Sequence, residues 1–299
     1  MIREERICRS IPKSSEEENY FASIDELYQN KAWVNASFEN ISFKMKAPIE
    51  ADESWLESQT SFSPILDLSD TTFGDSGLFK MREEQTELLH ELKISNNPHL
   101  SDASLIWLAK HCSNLSILHA ASCPRLTDKG LSEILLLPTL RYLNLEGNSI
   151  THLTFNKPSH LSALHLRNCS KLNTKALIEI AQNVPKLIYL AVSLKNIETR
   201  ALTEIPLMGL NYLWLEKGEY VETEDLNCFL AQNPKLQILI LENFPKITKL
   251  KLENHHSLQT LRFANCPKLM SLEGIEKLKL KDLNLISCPN LADIQIPNS

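Results

Sequence analysis

The sequence predicts an α/β solenoid, a single array of short stacked units with a parallel β-sheet on one face and helices or irregular turns on the other. Three columns predict it. The pattern L-x-x-L-x-L begins at Leu115, Leu140, Leu161, Leu187, Leu210, Leu236, Leu258 and Leu280. Eight places after each first leucine stands a second column: Asn97, Cys123, Asn148, Cys169, Lys195, Gly218, Phe244, Cys266 and Cys288. A third column of short polar residues opens a helical pattern soon afterwards: Asp75, Asp102, Asp128, Thr174, Thr199 and Thr223.

Alternation explains the first column, because successive side chains of a strand point to opposite faces, so the later two leucines of each unit share one face. No unit covers its own leucines, and stacking removes them from water. Leu89 starts an earlier unit, and two more are expected near 62 and at Phe38, giving about eleven units over residues 38–299 with steps of 21 to 27 residues. That period lies in the range of leucine-rich repeats. The second column is expected to turn inward where each strand ends, with its cysteines structural. The third column is expected to cap the first turn of its own helix. Residues 1–37 read as a tail and a capping helix over the first unit's open leucines, with Ser23 as a possible N-cap.

Composition narrows the function. The 299 residues carry a formal charge of −6 without a basic stripe, which argues against nucleic acid as a partner. No stretch has the length and apolarity of a membrane span, and the start lacks a secretory leader, so the chain reads as soluble and cytoplasmic. Seven cysteines without a C-x-x-C, and seven glycines without a phosphate-loop pattern, predict no disulfide framework, no metal site and no cofactor. His119 and His165 stand two strands apart, too far for a shared metal, and no nucleophile motif accompanies them, so no enzyme is expected.

The segment "HCSNLSILHAASCPRLTDKGLSEI", residues 111–134, resembles the cysteine-containing leucine-rich repeats of F-box proteins. The resemblance covers residues 62–234 best, while the units at 140, 236, 258 and 280 resemble the plainer repeats of many bacterial proteins. It implies a leucine-rich-repeat solenoid, or horseshoe, that binds proteins on its concave face. Residues 1–37 show no F-box pattern, so a substrate-recognition role in a ubiquitin ligase would need a diverged adaptor-binding segment there. A free-standing array rich in Lys, Asn and Ile also resembles effectors that intracellular bacteria deliver into the host cytosol.

Side chains at the second, fourth and sixth places after each first leucine are expected to face solvent on the concave side. Tyr189, Tyr212, Trp214, Ile238 and Ile240 fall on three consecutive strands, with Tyr142 further along. Tyr, Trp and Arg are the types enriched in binding hot spots. These residues form the expected patch for a protein partner of a monomeric chain. Glu146, Arg167, Glu216, Glu242 and Arg262 are expected to ring it as a polar rim, Arg167 and Arg262 contributing charged contacts.

Overall fold

The computed structural model describes residues 45–49, 51, 55–59, 62–204 and 209–291. The capping helix expected within residues 1–37 lies outside them. Thirteen short strands are present among the described residues: β1 (Met45–Lys46), β2 (Ile65–Asp67), β3 (Glu91–Lys93), β4 (Ile117–His119), β5 (Tyr142–Asn144), β6 (Ala163–Leu166), β7 (Tyr189–Ser193), β8 (Tyr212–Glu216), β9 (Ile238–Glu242), β10 (Lys249–Lys251), β11 (Thr260–Ala264), β12 (Ser271–Glu273) and β13 (Asp282–Ile286). Eleven form one sheet in the order β1-β2-β3-β4-β5-β6-β7-β8-β9-β11-β13, and every pair is parallel. The chain is a leucine-rich-repeat solenoid.

Register follows from the leucines. Leu66, Leu92, Leu118, Leu143, Leu164, Leu190, Leu213, Leu239, Leu261 and Leu283 stand opposite one another from strand to strand. From Leu66 to Leu261 this row is buried, as a core closed by stacking requires. A one-residue slip would turn it to the other face of the sheet. The first unit departs from its expected position: Met45, not a residue of the Phe38 pattern, pairs with Leu66, so that unit's strand lies four residues later.

The inward turn has a cause that the sequence columns did not name. The residue at the seventh place adopts a left-handed backbone in Asn96, Ser122, Gly147, Asn168, Lys217, Asn243, Asn265 and Ser287, with φ between 53° and 74°. Gly and Asn tolerate this region best, and it swings the eighth residue into the core. Asn97, Cys123, Asn148, Cys169, Gly218, Phe244 and Cys266 are accordingly buried. Gly218 leaves room for the Phe244 ring, which a Cβ there would strike. In the unit from Leu187 the seventh place is Leu194, which is itself buried, and Lys195 is exposed rather than inward.

The inward polar groups tie one unit to another. Cys123 donates its thiol to the Ile94 carbonyl at 3.0 Å, and Cys169 to that of Leu145 at 3.2 Å. Asn148 donates to the Ala120 carbonyl at 2.7 Å while its own side-chain oxygen accepts from the Cys123 N–H at 2.8 Å. Burial pushes the thiols up, to about 11 for Cys123 and about 12 for Cys169. Both thiols are packed inside the turns that end their strands.

The third column acts differently from its expected role. The caps of the helices Asp102–His111, Asp128–Ile134 and Thr174–Asn183 are Ser101, Thr127 and Asn173, each one residue earlier. Asp75, Asp102 and Asp128 instead reach the following unit. Asp75 accepts from the Ser101 N–H at 2.8 Å and its hydroxyl at 2.6 Å; Asp102 accepts from the same groups of Thr127 at 2.7 and 2.6 Å. Asp128 repeats the pattern on Thr151, whose N–H lies at 2.9 Å. Thr174 accepts from the Glu198 N–H and Thr223 from the Thr248 N–H, both at 2.9 Å, while Thr199 donates to the Tyr220 carbonyl at 2.8 Å. Asp75 and Asp102 hold the next unit's helix cap in place, and Asp128 holds the loop that stands there in its neighbour. In the plainer units at 236 and 258 the helix is replaced by β10 and β12, which pair with each other.

Asp102→Ala should therefore lose two charge-assisted hydrogen bonds between units and cost about 1–3 kcal/mol in chemical denaturation. A change within about 0.5 kcal/mol would show that Asp102 contributes only surface charge.

Candidate functional site

The face of the sheet opposite the leucines divides into a closed and an open stretch. Tyr142, Tyr189, Tyr212, Trp214 and Ile240, expected to face water, are 3, 8, 6, 1 and 3% exposed. Ile238 and Arg262 are half-buried, and towards the last strands Thr260, Asp282 and Ile286 are half-buried while Asn284 is exposed. The expected apolar patch is thus brought together, and most of it is covered.

Cross-strand register builds the closed stretch. His119, Tyr142, His165, Tyr189 and Tyr212 form a continuous ladder of rings, with successive centroids 4.8, 5.3, 4.3 and 4.1 Å apart. Neighbouring strands lie about 4.8 Å apart, so a ring on each strand stacks on the next. The Tyr142 ring separates His119 from His165. Burial, reinforced by nearby positive charge, pulls the pKa of both histidines down to about 3, so both are neutral. The approach of His119 to Glu91 at 3.7 Å is accordingly not an ion pair near neutrality. His255 and His256, neighbours in sequence, differ in surroundings: His255 is buried with its Nε2 at 2.9 Å from the Leu230 carbonyl, and His256 is exposed.

Arg167 closes the stretch from above. Its guanidinium carbon lies 3.5 Å from the centroid of Trp214, and three carboxylates surround it: Glu216 at 3.1 Å, Glu146 and Glu242 at 3.6 Å. Burial opposes the charge of Arg167, but the three glutamates outweigh it and raise its pKa. Burial raises Glu242, against the pull of Arg167. Glu216 also accepts from the Asn168 N–H at 2.7 Å, so the same carboxylate holds the left-handed turn after β6 and the arginine that precedes it. The expected rim is corrected here: Arg167 covers the centre of the patch and Glu216 is buried beneath it. Arg262 behaves as an edge residue and pairs with Asp282 at 2.8 Å.

The reach of Arg167 depends on β7, which lies between it and Trp214. Ala191 pairs with Trp214 and Ser193 with Glu216, so both β7 positions on this path are small. An arginine can then span the two strand spacings, about 10 Å, to β8. A sequence signal for this was present in the row Glu146, Arg167, Ser193, Glu216, Glu242, but only the register shows which acids meet the arginine. Among the described residues no group of three or more His, Cys, Asp or Glu side chains is arranged to hold a metal ion. No helix of the described residues is long and apolar enough to cross a membrane.

No family model and no curated protein matches this chain. Among solved structures it is similar to a chain of the Rad7–Elc1 complex from yeast, at 16% identity, a TM-score of 0.49, and coverage of 91% of this chain and 76% of that one. A chain of the TLR13–ssRNA13 complex is 19% identical with a TM-score of 0.41, over 74% of this chain and 35% of that one.

Neutral His165 gives the closed stretch a pH dependence whose sign is set by burial. In the unfolded chain a histidine takes up a proton near pH 6.5, whereas folded His165 does so only near 3. Below about pH 6.5 the unfolded state binds more protons, so stability falls as pH falls. His165→Gln should flatten the loss of denaturation free energy between about pH 7 and about pH 5. Equal slopes in the two proteins would show that His165 titrates normally.

Proposed function

We propose that the chain is a non-enzymatic scaffold that binds a protein partner along the concave face of its sheet. The observation that supports this is the segregation of residue types. Tyr142, Tyr189, Tyr212, Trp214, Ile238, Ile240, Arg167 and Arg262 occupy places that the leucine core does not constrain, and they are concentrated on one face. Aromatic and arginine side chains of this kind make the energetic centres of protein interfaces. The covered aromatics and the Arg167 clamp act as a rigid floor. The accessible contact runs over Ile238, Arg262 and the strands beside them, where the rows open towards solvent.

A rigid floor lowers the ordering cost of association, because side chains already held by stacking and ion pairs lose little freedom on binding. The alternating charges Glu242, Arg262 and Asp282 beside Ile238 suit a partner surface with an apolar anchor and polar surroundings. The resemblance to delivered bacterial effectors makes a host protein the partner class to examine first.

Affinity purification from eukaryotic lysate, with quantitative recovery, tests the reading. The Ile238→Ala and Arg262→Ala double variant should lose at least about 2 kcal/mol of binding, roughly thirtyfold, with little change in melting temperature. Lys175→Ala, on the helix Thr174–Asn183, should bind as the parent does. Undiminished recovery by the double variant would remove the concave face from the account. Recovery of a ligase adaptor that depends on residues 1–37 would favour a substrate-recognition subunit of a ubiquitin ligase instead.

A further inference from the structure

The cysteine column contains two neighbouring units with a thiol at the same place. Cys266 and Cys288 each follow a left-handed residue, Asn265 with φ 54° and Ser287 with φ 53°. Their strands, β11 and β13, are paired in register up to Ala264 opposite Ile286, two residues before the cysteines. Identical turns on adjacent strands place the two Cα atoms about one strand spacing apart, about 4.8 Å, within the range that a disulfide bridges. Both sulfurs sit over strand-end carbonyls: Cys266 faces Leu241 and Ala264 at 3.9 and 3.6 Å, and Cys288 faces Phe263 and Ile286 at 3.7 and 3.4 Å. Elsewhere in the column the neighbours of a cysteine are Asn97 and Asn148 for Cys123, and Asn148 and Lys195 for Cys169. Those thiols have no sulfur beside them.

Accessibility separates the two partners. Cys266 is buried, whereas Cys288 is half-buried just after β13, the last strand among the described residues, where Leu283 and Leu285 are also only half-buried. A reagent arriving from solvent meets Cys288 first. We propose that Cys266 and Cys288 form a dithiol modification site that small-molecule disulfides oxidise to an intramolecular disulfide. A hydrogen bond from Cys266 favours the Cys288 thiolate, the form that attacks a disulfide, against the opposing effect of burial. The same bond and burial raise Cys266, which retains its proton until the second step.

The chemistry balances in two exchanges. The Cys288 thiolate attacks one sulfur of the small disulfide, forms a mixed disulfide and releases one small thiolate. Cys266 then gives its proton to a departing thiolate, and its sulfur attacks that of Cys288, breaking the mixed disulfide and releasing the second small thiol. The two protein thiols lose two electrons and two protons, and the small disulfide takes them up to become two thiols. The product staples β11 to β13. These strands carry Arg262 and Asp282, so oxidation would fix the open end of the concave face.

The test uses the full chain with Cys8→Ser and Cys228→Ser, which removes one thiol outside the described residues and one exposed thiol. After incubation with oxidised glutathione near neutral pH, intact mass should fall by two hydrogens, and a digest should contain a Cys266–Cys288 linked peptide. Adding Cys266→Ser should instead trap one glutathione on Cys288, and Cys266→Ala should do the same if the serine variant fails to fold. Cys288 should react at least about tenfold faster than Cys169, whose thiol is buried and protonated. A stable glutathione adduct on Cys288 beside a free Cys266, or modification of Cys288 no faster than of Cys169, would overturn the proposal.

Discussion

Each unit of this chain carries a leucine face that it cannot cover, and the next unit covers it. That constraint sets the architecture. It demands one register, because Leu92, Leu118 and their counterparts must remain on one face from strand to strand. It demands a turn at the end of the strand that returns the chain towards the core, supplied in most units by a residue in a left-handed conformation, most often Asn. It also leaves polar groups at the junctions, which Asp75 and Asp102 satisfy by reaching the helix cap of the next unit and Asp128 by reaching Thr151. Burial, backbone geometry and hydrogen bonding thus all couple nearest neighbours, which is why stability in such an array propagates along its length.

The opposite face is free of that constraint, and the side chains there have made a second packed layer over the central strands. Its organisation depends on two small residues. Ala191 and Ser193 on β7 open the path by which Arg167 lies over Trp214 and meets Glu216 and Glu242. A guanidinium suits this position because it stacks on an aromatic ring and donates in several directions at once. Desolvation disfavours its charge, and three carboxylates compensate. The face therefore has a stiff centre and, beyond β9, an open end at which charge pairs remain half-exposed.

The fold was legible in the sequence because its controlling signal is local and periodic. Leu115, Leu118 and Ala120 announce a strand and its buried face without reference to any distant residue. The first unit's register is hidden in the sequence because Met45 and Ala47 stand where leucines would mark it, while the neighbouring Phe38 pattern matches the repeat more closely. Counting places puts Lys195 inward because it assumes one turn geometry, which Leu194 does not adopt. The acidic column was recognised as belonging to helix starts, but a single sequence does not show that Asp102 serves Thr127 rather than its own helix. The concave rows were identified correctly by place. Their exposure was not, since Arg167 and Glu216 are 49 residues apart in the chain and meet only through the register of three strands.

The concave aromatics belong to a packed layer locked by Arg167 and are not loose surface side chains. The most direct measurement is the denaturation free energy of Trp214→Ala in the full chain. If the ring is packed beneath Arg167, its removal leaves a cavity and an arginine held over empty space, and stability should fall by about 3–5 kcal/mol. A loss below about 0.5 kcal/mol would place Trp214 at an ordinary exposed site and contradict the account.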